Sequence, residues 1–168
     1  RKYWGKVDED KNLTQEEDLS YSDAWNKLVK YLHSEEFYEN IRKFSGIPIT
    51  KIKKLQFTLL RKNGFQLPHI HNMGPSTIII MAYFSKNWEK GKPGGTYVAT
   101  DEDESKIVFE PYNLDNTAMI FHDGPFAAHG VRRITDDVER RGIQIYLEEF
   151  SVEDGWSGDK KEQELIEL

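Results

Sequence analysis

Near residue 46 the hydrophobic period of this chain changes, and few folds accept both halves of that change. From Tyr21 to Phe44 the apolar residues Trp25, Leu28, Val29, Leu32, Phe37, Tyr38 and Ile41 recur at helical spacings, with Ser22 or Asp23 available as a cap. This predicts one helix followed by a shorter one, both packing on the back of a sheet. After the turn Ser45-Gly46-Ile47-Pro48 the period becomes two, in short apolar runs separated by turn residues. Strands are predicted at Ile52–Arg61, Gln66–His71, Thr77–Phe84, Gly95–Val98, Ile107–Glu110, Thr117–His122, Ala128–Val131 and Gly142–Phe150. Short strands in this number behind two helices imply a mainly β (α+β) chain. Its expected form is a jelly roll (double-stranded β-helix) or a related barrel, with N-terminal helices packed on one sheet.

A length of 168 residues matches a single domain. Residues 1–20 read as an irregular polar leader, 21–50 as helical support, 51–150 as the β core and 151–168 as a charged C-terminal tail. The aromatic share of 12% favours an ordered, sheet-rich core. A formal net charge of −6 without any sustained Lys/Arg run argues against a protein that grips nucleic acid through its phosphates. The sequence has no cysteine, so any metal must be held by imidazoles and carboxylates. Nothing in it resembles a signal peptide or an apolar run of about 18 residues. The expected location is therefore cytoplasmic, with no membrane partner.

Five histidines occur, and four of them fall on predicted strands. In the extended run Pro68-His69-Ile70-His71 the two imidazoles project to one face while Ile70 takes the other, so both can reach a single ion. A close pair plus one remote histidine leaves half of an octahedral sphere open for substrates, and His129 sits where the third ligand belongs. On spacing alone, solvent exposure or a hydrogen-bonded core accounts for the pair equally well.

The surrounding sequence adds to this. From Leu55 to Phe150 the chain resembles the prolyl-hydroxylase-like branch of the iron(II)- and 2-oxoglutarate-dependent oxygenases. LQFTLLRKNGFQLPHIHN resembles the strand, turn and metal-binding strand of that family. IIIMAYFSKNWEKGKPGGTYV resembles its Tyr-ending strand, Asn-Trp turn and Gly-Gly opening. IVFEPYNLDNTAMIFHDGPFAAHGV resembles the approach to its distal histidine, and ERRGIQIYL its last core strand.

The resemblance implies iron(II) at His69, His71 and His129, with 2-oxoglutarate chelating the metal. It implies a fixed cation for the far carboxylate, a task that suits the planar fork of an arginine. Aligning Ile143 and Ile145 with the family's outward apolar positions puts Arg140, rather than Arg141, on the inner face with Gly142, which leaves room for the cofactor. Tyr83 matches a position whose hydroxyl binds the same carboxylate, although it can equally serve as packing. Trp88 reads as packing beneath the strand connection, and His122, which ends its predicted strand, with Asp123 in the loop before Gly-Pro as a solvent-facing pair.

The family motif at the metal is His-x-Asp, and here it reads His69-Ile70-His71. Exchanging an anionic ligand for a neutral one leaves the ferrous site one unit more positive. Asp123 is a reserve carboxylate, expected too far from His129 to be a ligand. The activity implied is hydroxylation of an amino acid, peptidyl or small-metabolite C–H bond, with succinate and carbon dioxide as co-products. Two alternatives stay open: a three-His cupin-type dioxygenase that does without 2-oxoglutarate, and a non-catalytic β-barrel binding module.

Overall fold

The computed structural model describes residues 2–3, 21–70, 77–124 and 126–148. Two helices, α1 (Asp23–Leu32) and α2 (Glu35–Ser45), precede the β core. Each starts at a serine whose hydroxyl accepts from the backbone three residues on: Ser22 from Trp25 and Ser34 from Phe37, both at 3.2 Å. The second helix, at 11 residues, is not shorter than the first, at 10, because it runs on through Phe44 until Gly46 closes it in a left-handed conformation.

The strands are β1 (Lys2–Tyr3), β2 (Lys51–Leu60), β3 (Gln66–His69), β4 (Thr77–Tyr83), β5 (Thr96–Ala99), β6 (Ile107–Phe109), β7 (Thr117–Asp123), β8 (Ala128–Val131) and β9 (Arg140–Glu148). They form two antiparallel sheets, a five-stranded one in the order β1-β2-β9-β4-β7 and a four-stranded one in the order β3-β8-β5-β6. After β2 each strand except β6 lies in the other sheet from the strand before it, as in a jelly roll. Within the leader, Lys2 and Tyr3 pair with Phe57 and Gln56, so the expectation of an irregular segment fails at those two residues. Two residues cannot display a period that sequence reading would detect. His71, and the predicted strand residues beyond Glu148, lie outside the described residues, as does the C-terminal tail.

Alternation along the five-stranded sheet divides its side chains into two cores. Ile78, Ile80, Ile143, Ile145 and Leu147 face outward, where Leu32, Phe37, Tyr38 and Ile41 of the helices cover them. Ile79, Met81, Tyr83, Met119 and Tyr146 face inward, between the sheets. An irregularity in the β2–β9 ladder between Ile52 and Lys54 lets both Ile52 and Leu55 join the outer core although they are three positions apart. The same alternation carries Arg140, Gly142 and Gln144 into the interior. Among the described residues no helix is long and apolar enough to cross a membrane.

Candidate metal and dicarboxylate site

β3 and β8 lie side by side in the four-stranded sheet, and their ladder sets His69 directly opposite His129. The ring centroids are 4.6 Å apart, and both side chains are buried, at 5% and 2% exposure. Nδ1 of His69 donates to the Leu67 carbonyl at 2.9 Å, and Nδ1 of His129 to the Ala127 carbonyl at 3.0 Å. A carbonyl can only accept, so each Nδ1 carries a proton, and the neutral form of each ring then has its lone pair on Nε2. The Gln66 amide lies 3.3 Å from Nε2 of His69, as a donor to that lone pair would. Neutral imidazoles held by backbone carbonyls, with Nε2 basic, are the donor set that a first-row divalent cation takes. These two residues fit a metal. Among the described residues no three His, Asp or Glu side chains form a complete set, and the third expected ligand, His71, is outside them.

Arg140 opens β9 and is buried to 2% exposure. Its guanidinium is fixed on three sides: Nε donates to the Gly94 carbonyl at 2.8 Å, Nη1 to the Thr58 hydroxyl at 3.1 Å, and Nη2 to the Thr96 hydroxyl at 2.8 Å. The Tyr83 ring supports it from below, with its centroid 5.2 Å away, and the Tyr83 hydroxyl is itself held by the Thr96 amide at 3.0 Å. Burial pushes the guanidinium below its ordinary pKa, opposed by the Tyr83 hydroxyl. Among the described residues no carboxylate forms an ion pair with it. Three of its five N–H donors are committed to these acceptors, and the Tyr83 hydroxyl engages the guanidinium as well. Arg141, by contrast, is exposed and pairs with Glu139.

The cradle explains the Asn-Trp and Gly-Gly turn. Gly94 adopts φ +136°, and a Cβ there would stand 2.7 Å from the Trp88 ring, so only glycine can present this carbonyl to Arg140. Trp88 packs beneath the connection, as expected. Gly142 has another role than the expected one. A Cβ on it would meet the Ala82 carbonyl at 3.1 Å, and the Thr58 hydroxyl and Tyr83 ring at 3.4 Å, so the glycine admits the neighbours of Arg140 rather than leaving open space.

A cavity of about 260 Å³ lies between the sheets, lined by His129, Arg140, Gln66, Gln144, Thr58 and Thr96 among others. It therefore joins the imidazole of one sheet to the guanidinium of the other. Tyr83 is not on its surface; it lies behind Arg140. Gln144 accepts from Gln56 at 2.6 Å and donates to the Tyr146 hydroxyl at 2.7 Å, a polar row that sequence reading did not single out. Phe57, Leu59 and Phe65 line the same cavity, and Leu59 and Phe65 are exposed to solvent.

Asp123 departs most from expectation. It is the last residue of β7 rather than part of a loop, pairs with Thr77, and has 0% exposure. Its Oδ1 lies 4.0 Å from Nδ1 of His129. His122 alone faces solvent.

No protein-family model matches the sequence, and a search of curated proteins gives no significant match. Solved structures do share the fold. A prolyl-4-hydroxylase from Pseudomonas putida superposes with a TM-score of 0.57 at 13% identity, over 77% of this chain and 67% of that one. AviO1 from Streptomyces viridochromogenes Tue57 superposes with a TM-score of 0.52 at 17% identity, over 76% of this chain and 63% of that one. The common element is the jelly roll, of which this chain spans about two thirds of each neighbour's length.

Proposed function

We propose that this chain is an iron(II)- and 2-oxoglutarate-dependent oxygenase. The observation that carries the reading is one cavity with a buried imidazole at one side and, at the other, a buried guanidinium that has no carboxylate partner among the described residues. A buried cation costs several kcal/mol unless an anion accompanies it, and an anionic ligand would recover that cost. A ligand spanning both groups needs a metal-chelating end and a carboxylate end, as a 2-oxo diacid has. The cavity volume lies near the lower end for ligand pockets, which suits such a small diacid.

In this reading His69 and His129 hold the ion through Nε2, the ion displacing the Gln66 amide from His69, and His71 is the third ligand of the sequence motif. Arg140 receives the distal carboxylate, while Thr58, Thr96, Gly94 and Tyr83 keep the guanidinium rigid, so little ordering remains at binding. Iron(II), when bound, supplies the oxidative chemistry with dioxygen. The substrate is a small molecule or peptidyl group that enters past the exposed Leu59 and Phe65.

The His-x-His motif favours one second reading, a three-His dioxygenase that binds its substrate directly to iron, with Arg140 holding a substrate carboxylate. Incubating the protein with iron(II), ascorbate and 2-oxoglutarate, without further substrate, tests the first reading. Slow succinate release that depends on both iron and protein is expected. Succinate at the protein-free rate, together with no thermal shift on adding metal and 2-oxoglutarate, would exclude it.

A further inference from the structure

A His-x-His motif brings no anion to the ion, yet the structure brings a carboxylate to the ring of a ligand candidate. Asp123 is entirely buried, and its Oδ1 lies 4.0 Å from Nδ1 of His129, the nitrogen facing away from the lone pair that would bind metal. The two residues belong to different sheets and lie six positions apart, where β7 passes to β8, and the Ala127 N–H donates to the Gly124 carbonyl in that connection. Phe121 shares the inward face of β7 with Asp123 and sets its ring 5.2 Å from the His129 ring. Both side chains are removed from solvent, where a nearby charge is screened less than at the surface.

We propose that Asp123 is the counter-charge of the metal centre that His69 and His129 would hold, supplying through His129 the negative charge that a His-x-His motif does not bring. This rests on the metal reading above. The Ala127 carbonyl already fixes the tautomer of His129 at 3.0 Å, so what Asp123 adds is charge: it makes the imidazole a stronger donor and offsets the ion. Asp123 is in this sense a positioning and tuning residue, not a ligand. It lies behind the ring and not at Nε2.

Anaerobic titration of the full chain with cobalt(II), read by calorimetry and by the visible bands of the bound ion, tests this. Four proteins are compared: the unmodified chain, Asp123→Asn, His71→Asp and the double variant. Asp123→Asn should weaken cobalt affinity about 10- to 100-fold. With a carboxylate returned to the ion by His71→Asp, the same substitution should cost less than about threefold, since the two charges serve one purpose. Equal losses in both backgrounds would assign Asp123 a structural role and overturn the inference. So would cobalt binding by Asp123→Asn within about twofold of the unmodified chain, with the metal reading left standing. If the unmodified chain takes up no cobalt, both fail. Should Asp123→Asn not fold, Asp123→Glu carries the test: it keeps the charge, so it must keep cobalt affinity to within about tenfold, and a greater loss refutes the proposal.

Discussion

Replacing Arg140 by Met separates the cost of holding a buried cation from the benefit of having one. Without ligand, the guanidinium makes three hydrogen bonds to neutral acceptors, each worth about 1.5–3 kcal/mol because the donor is charged. Against them stands the penalty of burying the charge, several kcal/mol when no anion accompanies it. The two are of one order, so the ligand-free Met variant should differ in unfolding free energy by no more than about 2 kcal/mol. Binding is another matter. Removing one side of a buried, hydrogen-bonded charge pair costs about 2–5 kcal/mol. At about 1.4 kcal/mol per decade, the Kd for 2-oxoglutarate should rise about thirtyfold to several thousandfold. Calorimetry with manganese(II) present, which avoids turnover, measures this directly. Manganese affinity itself should be unchanged, since Arg140 is not a ligand. A Met variant that binds 2-oxoglutarate within about threefold of the unmodified chain, or that loses metal and diacid together, would refute the assignment.

Further outcomes follow from the same geometry. Gly94→Ala forces a Cβ to 2.7 Å from Trp88 and displaces the carbonyl that anchors Arg140, so a loss of about 2 kcal/mol or more in stability should accompany weakened 2-oxoglutarate binding; denaturant titration with calorimetry checks both. Ser34→Ala removes the cap on α2 and should cost about 0.5–2 kcal/mol by the same titration, without change in metal or diacid affinity, because the helices pack on the outer face of the sheet. Burial holds His33 below its ordinary pKa, so the unfolded chain takes up that proton first and stability is lost as pH falls below about 6.5. His33→Gln should then lose less stability than the unmodified chain between pH values of about 7.5 and 5.5; parallel losses would count against the assignment.

Much of this arrangement was legible because it depends on alternation. Arg140 and Arg141 differ in environment only through the face each occupies, and the apolar residues Ile143 and Ile145 reveal which face is outward. The pairing of His69 with His129 could be anticipated from the resemblance, but their tautomers could not, since these depend on carbonyls at Leu67 and Ala127 that the local backbone turns inward. Thr58 and Thr96 were missed as partners of Arg140, because hydroxyls on strands are common and only the closed sheets show which ones converge. Asp123 had a readable signal. Met119 and Phe121 set an inward period of two on β7, and extending it by one step reaches Asp123. The Gly-Pro that follows drew the strand boundary one residue too early.

Whether one cavity takes a metal and a dicarboxylate together is tested most directly by anaerobic titration, which reads both in one cuvette. Iron(II) is added first and 2-oxoglutarate second, with absorbance followed for the weak visible charge-transfer band of a chelated ferrous keto acid. A saturating band that is absent in His129→Ala and needs far more 2-oxoglutarate in Arg140→Met is the predicted result. No band in the unmodified chain, or one indifferent to both substitutions, would contradict it.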